Sequence, residues 1–206
     1  MEFFAPVRSG EGEINEKRSR FIGRIFPVST EEEAKLVIDR VKTECRGARH
    51  TPWCYLLPDG TSRSSDDGEP SGTSGAPMLE MLKRENIRGA AVVVSRYFGG
   101  VLLGPGGLIR AYTAAAKSAV ENSGLALFAT KTRVTTVAPY SIAAKIKHEA
   151  AACGGVEESC EYAENVTINA LFDTDDARKF CNNIIEITAG AVIPEISGEA
   201  LVPAEK

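Results

Sequence analysis

The segment RGAAVVVSRYF, residues 88–98, constrains the fold of this chain more than any other. It is almost continuously apolar and rich in β-branched valine, a pattern typical of a strand buried on both faces. Such a strand needs packed elements around it. We therefore predict that it forms the core strand of an α/β unit.

Helices and shorter strands are predicted on both sides of this strand. VSTEEEAKLVIDRVKTEC predicts an amphipathic helix, with Ser29 or Thr30 as N-cap and Glu32 or Glu33 as the reciprocal partner. RFIGRIFPV and PWCYLLP predict strands before and after it. PMLEMLKREN predicts a second helix with Pro77 at its first position.

A glycine-rich turn, GGVLLGPGGL, follows the central strand and leads into a long helix. That helix, LIRAYTAAAKSAVENSG, carries apolar residues on one face and ends at Gly124. These elements together predict a first domain over residues 1–128.

From Lys131 the pattern starts again. A strand (TRVTTVAP), a helix (YSIAAKIKHEAAACG) and a hairpin turning near residues 164–165 are followed by a helix capped by Asp173 or Thr174, and by a last strand (AVIPEISGEALV). The order βαββαβ is that of a ferredoxin-like domain. We therefore predict a two-domain α+β chain with a ferredoxin-like second domain over residues 131–206.

Composition narrows the classes of function. The net charge is −4: residues 1–130 carry +1 and residues 131–206 carry −5. The first domain is therefore the better candidate for contact with phosphate. No apolar run approaches the roughly 20 residues of a membrane span, and the N-terminus lacks the pattern of a secretory signal. We expect a cytoplasmic protein with no membrane partner. The five cysteines and two histidines show no zinc-ligand spacing, and no metal or cofactor is predicted.

Arg110 is predicted to lie in the first turn of the long helix. A cation there is disfavoured by about 0.3–1 kcal/mol unless an anion is near, because the helix dipole is positive at that end. The preceding glycines let a ligand approach the backbone, and free amides at a helix start bind anions. The sequence therefore predicts an anion near Gly106, Gly107 and Arg110.

Arg96 requires a negative partner as well. Strand alternation places it on one face with Ala90, Val92, Val94 and Phe98, whereas Ser95 and Tyr97 face the other side. An arginine that leaves a buried strand needs a carboxylate or a phosphate, because an unpaired buried charge costs several kcal/mol.

Two sources of negative charge remain open. One is internal: Asp66, Asp67 and Glu69 of SDDGEPSGTSGAP, residues 65–77, which we call the acidic loop. The other is a phosphate of RNA or of a nucleotide. The acidic loop lacks the lysine of a nucleotide-binding P-loop, and its acids are expected to form a turn rather than a metal site. His50 is expected to be a structural hydrogen-bonding residue.

Four motifs carry a family resemblance. SRFIG, ARH, the acidic loop and VVVSRYFGGVLLGPGGLIRAY, in this order, resemble the IMPACT/YigZ family over about residues 17–124. In that pattern a cysteine follows RH within two residues; here Thr51 and Pro52 intervene and Cys54 is displaced, so the thiol is given no role. The binding residues that the resemblance implies are His50, Asp66, Asp67, Gly68, Glu69, Arg96, Tyr97, Gly99, Gly100, Gly104, Gly106, Gly107 and Arg110.

The resemblance also implies a fold and a function. The first domain would resemble domain IV of elongation factor G and a ribosomal protein domain, and the second would resemble domain V of that factor. We hypothesise a non-catalytic protein that associates with RNA or the ribosome, modulates translation and contacts phosphate near the Arg96 and Arg110 turns. The alternatives are an enzyme acting on a phosphorylated small molecule or nucleotide, and a protein-interaction module that binds a basic partner.

Overall fold

The central strand lies in the middle of a five-stranded antiparallel sheet. The computed structural model describes residues 2–204, and contacts divide the chain into one unit of residues 3–127 and another that begins at Phe128 and includes Glu2. The first sheet has the order β2-β3-β6-β4-β5, so that β3 and β4 flank β6. The elements of this part of the chain are β1 (Glu2–Pro6), β2 (Gly10–Glu16), β3 (Ser19–Pro27), α1 (Glu31–Glu44), β4 (Trp53–Leu56), β5 (Ser62–Ser65), α2 (Gly75–Arg84), β6 (Ala90–Tyr97) and α3 (Gly104–Ser123).

Both faces of β6 are buried, as predicted. Val92 and Val94 pack in a core with α2 and α3, whereas Ala91 and Val93 pack in a second core with α1. Arg96 lies on the same face as Val94 by strand alternation. The sheet is therefore a layer between one helix and a pair of helices, and β6 delivers Arg96 to the side of α2 and α3.

The predicted cap of α1 is confirmed. The Thr30 side chain accepts a hydrogen bond from the Glu33 amide at 3.2 Å. The Glu33 carboxylate accepts one from the Ser29 amide at 2.7 Å, one residue earlier than in a standard capping box.

The sequence patterns missed β1, β2 and β5. Strand β2, GEGEINE, has few β-branched residues, and its glycines and acids disfavour a strand on propensity. Tertiary packing overrides that preference, because α3 crosses β2 and β3 closely. A Cβ atom at Gly10, Gly12 or Gly23 would overlap atoms of Ala119, Ser118 or Ala115.

The second unit contains the predicted order of elements. They are β7 (Leu125–Ala138), α4 (Tyr140–Ala152), β8 (Val156–Tyr162), β9 (Val166–Phe172), α5 (Thr174–Ile187) and β10 (Glu195–Pro203). Four of these strands are antiparallel neighbours in the order β10-β7-β9-β8, and both helices contribute to one core against the sheet. β7 begins seven residues before the predicted strand. Within residues 2–204, no helix combines the length and hydropathy needed to cross a bilayer.

We predict that Gly23→Ala lowers the free energy of unfolding by about 1–3 kcal/mol, because the added methyl group must push α3 away from β3. Urea unfolding followed by circular dichroism measures the change. Gly47→Ala is the matched control: the nearest atom to its added Cβ is Tyr97 Cε1 at 3.8 Å. An equal effect of both substitutions would contradict this account of β2–β3–α3 packing.

Candidate functional site

Asp66 of the acidic loop caps helix α2. Its Oδ1 accepts hydrogen bonds from the Ser74 amide (3.0 Å), the Ser74 hydroxyl (2.7 Å) and the Gly75 amide (2.9 Å), and its Oδ2 accepts one from the Gly72 amide (2.8 Å). Burial by itself would raise the pKa of this carboxyl, but the bonds from Ser74, Gly72 and Gly75 together hold the pKa below its ordinary value. The sequence predicts that α2 begins at Pro77. It begins two residues earlier, at Gly75, because Asp66 satisfies the amides of Ser74 and Gly75.

Asp67 ties the acidic loop to two other parts of the unit. Its carboxylate accepts from Lys42 Nζ of α1 and from the Thr51 amide, both at 2.7 Å. The Asp67 carbonyl lies 2.9 Å from His50 Nδ1. Asp67 has a φ of 46°, a left-handed conformation that aspartate tolerates, and these contacts hold it there. The geometry agrees with the structural role expected for His50.

Glu69 and Arg96 form a buried ion pair. Arg96 Nη1 and the Tyr112 hydroxyl each donate to Glu69 Oε1 at 2.7 Å, and the side chains of Arg96 and Glu69 are 6% and 3% exposed. Burial and the Glu69 carboxylate raise the pKa of Tyr112 far above its ordinary value, so the hydroxyl stays protonated and donates. Of the two sources of negative charge left open by the sequence, Arg96 therefore pairs with the acidic loop, through Glu69.

Arg96 retains hydrogen-bonding capacity. Its guanidinium carbon lies 5.5 Å from the ring centre of Phe21 and 5.4 Å from that of Phe98. Its Nε is buried and has no hydrogen-bond partner within the described residues. Buried donors without partners are rare in proteins, and this one belongs to a residue that lines a pocket.

A pocket of about 310 Å³ opens beside Arg96, and we call it the Arg96 pocket. It lies between the acidic loop, the end of β6 and the start of α3. Its lining is made by residues 49–50, 68–70, 102–105, Arg96, Phe98 and Leu108. Of the residues predicted for the site, the pocket brings together His50, Gly68, Glu69, Arg96 and Gly104.

The N-terminus of α3 forms one wall of the Arg96 pocket. The N-cap residue, Leu103, makes no side-chain cap, and Gly104 has a φ of 70° that favours glycine. The first amides of a helix have no intrahelical partner, and the helix dipole is positive there. The unpartnered amides at this end, which include those of Gly104 and Gly106, therefore provide donors suited to an anion.

Arg49 is a site residue that the sequence interpretation missed. Arg49 and His50 are held beside the end of β6 by two backbone hydrogen bonds. The Arg49 amide donates to the Arg96 carbonyl, and the Arg96 amide donates to the His50 carbonyl. The Arg49 guanidinium lies 4.9 Å from the Phe98 ring centre at the edge of the pocket. The signal was present in the motif ARH, from which only His50 was taken.

Further cations lie in the turns near the end of β6. The backbone of Arg18 contacts Gly99, and Gly47 lies beside the Tyr97 ring, so the β2–β3 turn and the segment after α1 both reach the end of β6. We call Lys17, Arg18, Arg46 and Arg49 the basic rim. All four are exposed, and none has an ion pair with another residue of the described chain.

The other predicted site residues lie outside the pocket lining. Tyr97 projects to the opposite face of β6, where it is hydrogen bonded to Cys45. Gly99 packs on Arg18, and Gly100 has a φ of 85° with open space around it. Asp66 and Asp67 are bonded to the start of α2 and to Lys42. The described residues contain no group of acids, cysteines and histidines arranged to hold a metal ion.

The placement predicted for Arg110 is wrong. α3 begins at Gly104, so Arg110 is its seventh residue and lies in the second turn. Its guanidinium turns back toward the start of α3, where Nη1 would lie 3.6 Å from a Cβ at Gly106, but Arg110 does not line the Arg96 pocket. Its side chain instead borders a separate depression, the α2–α3 groove, which is lined by Pro77, Glu80, Met81, Arg84, Ile109, Arg110, Thr113, Ala114 and Lys117.

We predict that Asp66→Ala lowers the free energy of unfolding by about 0.5–2 kcal/mol at pH 7, as loss of a helix cap does. The folded-state pKa of Asp66 is lowered, so its contribution is present above the unfolded pKa of about 3.9 and is lost as the pH falls through the folded value. Urea unfolding between pH 7 and pH 2 should show the wild type and the variant converging in acid. A difference that is constant with pH would contradict the charged cap.

We predict that Glu69→Ala lowers the free energy of unfolding by about 3–5 kcal/mol, because it leaves Arg96 buried without a counter-charge. The double variant Glu69→Leu/Arg96→Met removes both charges together. Its loss of unfolding free energy should be smaller than the sum of the losses of Glu69→Leu and of Arg96→Met, as measured by chemical denaturation. Additive losses would show that the two side chains are not energetically coupled.

Comparison with known proteins places this geometry in a family. Residues 17–120 match the model of the Impact N-terminal domain, and residues 136–191 match that of a domain of unknown function (DUF1949). The chain is 35% identical over 190 residues to the IMPACT family member YvyE of Bacillus subtilis (strain 168), which covers 91% of this chain and 88% of that protein. It is 30% identical over 180 residues to the IMPACT family member YigZ of Escherichia coli (strain K12), which covers 85% of this chain and 88% of that protein.

A solved structure and more distant relatives agree with this assignment. One structure, described as the crystal structure of a hypothetical protein, aligns with a TM-score of 0.65 at 26% identity and covers 100% of this chain and 98% of that one. Protein IMPACT of Oryctolagus cuniculus is 31% identical over 112 residues, which span 51% of this chain and 34% of that protein. The resemblance drawn from the four motifs is confirmed, and the chain belongs to the IMPACT family.

Proposed function

We propose that this protein binds RNA, including RNA of the ribosome, and modulates translation in the cytoplasm without catalysing a reaction of its own. The Arg96 pocket would hold a backbone phosphate, and the basic rim would contact neighbouring phosphates. One observation carries the proposal: the uncapped start of α3, Arg96 and the unpaired Arg49 line one pocket, and three more unpaired cations lie in the turns that reach the end of β6. Backbone phosphates supply much of the affinity of proteins for nucleic acids.

The acids near the pocket do not oppose this proposal. Glu69 is neutralised by Arg96, Asp67 pairs with Lys42, and Asp66 accepts four hydrogen bonds from the start of α2. The unpaired cation of the pocket lining is Arg49. The phosphate site proposed from the sequence therefore moves from Arg96 with Arg110 to Arg96 with Arg49.

The side chains of the pocket favour binding over catalysis. Among its lining residues, His50 and Glu69 carry the side chains that could serve as a general acid or base. His50 Nδ1 is engaged by the Asp67 carbonyl, and Glu69 is held by Arg96 and Tyr112. The pocket lining contains no serine, threonine or cysteine that could serve as a nucleophile.

We also propose the finer fold assignments. The strand order β10-β7-β9-β8, with two helices on one face, supports a ferredoxin-like second domain. The proposed likeness of the first unit to domain IV of elongation factor G, and of the second to domain V, is an analogy that supports ribosome contact.

We predict that Arg18→Ala/Arg49→Ala weakens binding of a fluorescein-labelled single-stranded RNA, because two phosphate contacts are removed. The slope of log affinity against log salt should fall by about 1.4, at roughly 0.7 for each contact. Fluorescence anisotropy at several salt concentrations measures both quantities. The matched control is Lys145→Ala/Lys179→Ala, which removes the same charge from exposed positions in the second unit.

An unchanged affinity and slope in a folded Arg18/Arg49 variant would contradict the proposed site. Thermal unfolding of the wild type with nucleotides, inorganic phosphate and Mg²⁺ tests the competing function. Strong stabilisation by a nucleotide, together with no binding of RNA, would favour an enzyme acting on a phosphorylated small molecule.

A further inference from the structure

Arg110 borders the α2–α3 groove, a surface that the RNA proposal does not use. The groove has a volume of about 720 Å³ and lies between two helices of the first unit. Its floor is mainly apolar, formed by Pro77 and Met81 of α2 and by Ile109 and Ala114 of α3. Ile109 is 38% exposed, a large apolar side chain that no other element of its unit covers.

The margins of the groove are basic. Arg84 and Arg110 are exposed, and neither has an ion pair within the described residues. Lys117 of the lining pairs at 3.5 Å with Glu85, which is not part of the lining. The acid of the lining, Glu80, pairs with Lys83 at 2.9 Å. Two unpaired guanidinium groups therefore face an apolar strip, a charge pattern that calls for an occupant carrying both carboxylates and apolar side chains.

The dimensions of the groove suit a helix. α2 has 10 residues and α3 has 20, so their shared groove extends about 15 Å at 1.5 Å per residue. That length matches about three turns of a docked helix, which would place apolar residues at i, i+3 or i+4, and i+7 on the floor. Ala114 has a small side chain, which leaves room on α3 for such an approach.

The chemistry of the groove favours a protein segment over RNA. Single-stranded RNA is usually held by aromatic side chains that stack on its bases, and the groove lining contains none. The exposed aromatic Phe98 lies instead at the Arg96 pocket. The two surfaces of the first unit thus offer different chemistry.

We propose that the α2–α3 groove docks an acidic amphipathic helix of a partner protein. Apolar side chains of that helix pack on Pro77, Ile109 and Ala114, and flanking carboxylates pair with Arg84 and Arg110. This function is independent of the Arg96 pocket, so one can fail while the other stands. Arg110, which the sequence singled out for an anion, would then meet a carboxylate rather than a phosphate.

The test uses two designed fluorescein-labelled peptides of roughly 14 residues, both with leucine at i, i+3, i+4 and i+7. One carries glutamate at its remaining charged positions and the other carries lysine. The full-length protein should bind the acidic peptide and not its basic twin in fluorescence anisotropy. Arg84→Glu/Arg110→Glu should weaken that binding at least tenfold, and Ala114→Trp should do the same by filling the groove without a change of charge.

Lys145→Glu/Lys179→Glu is the matched control, because it changes the net charge equally in the second unit and should leave peptide binding unaltered. Circular dichroism establishes that each variant is folded. Failure of the acidic peptide to bind, equal binding of the basic twin, or full binding by Ala114→Trp would overturn the proposal. A selective loss of RNA binding in Arg84→Glu/Arg110→Glu would also overturn it, by assigning the groove to RNA.

Discussion

The first unit depends on the ion pair between Glu69 and Arg96. It joins three parts of the chain: the acidic loop supplies the carboxylate, the central strand supplies the guanidinium, and Tyr112 of α3 supplies a hydroxyl to the same oxygen. Leaving either buried charge without its partner would strongly destabilise the fold, so this contact fixes the position of the loop against the sheet. The rest of the pocket is arranged around that fixed point.

The acidic loop has mainly an architectural role. Each of its acids is bonded to a different element: Asp66 to the start of α2, Asp67 to α1 and the segment before β4, and Glu69 to the central strand. A segment almost without apolar side chains is thereby ordered through charge and hydrogen bonding rather than through a hydrophobic core. Because its charges are satisfied internally, the loop can form a wall of an anion site without repelling the anion.

The two faces of α3 lead to two different surfaces. Its N-terminal amides and Leu108 border the Arg96 pocket, whereas Ile109, Arg110 and Ala114 border the α2–α3 groove. Leu108 and Ile109 are consecutive and lie about 100° apart around the helix, so α3 presents a polar site on one side and an apolar strip with basic margins on another. This separation is the physical reason for proposing RNA at the first surface and an acidic helix at the second.

The sequence by itself determined the elements whose patterns are local: the buried central strand, the capped α1, the long α3 ending at Gly124, and the βαββαβ order of the second unit. It also determined the family and the need of Arg96 for a negative partner. It missed β2, because its glycines matter only when α3 lies across them, and it missed Arg49, whose position depends on pairing with β6. Only the tertiary structure decided that Arg96 meets Glu69 while Arg110 faces another surface. The reason is that sequence spacing shows which side chains need a partner, whereas the packing of distant segments decides which partners come within bonding distance.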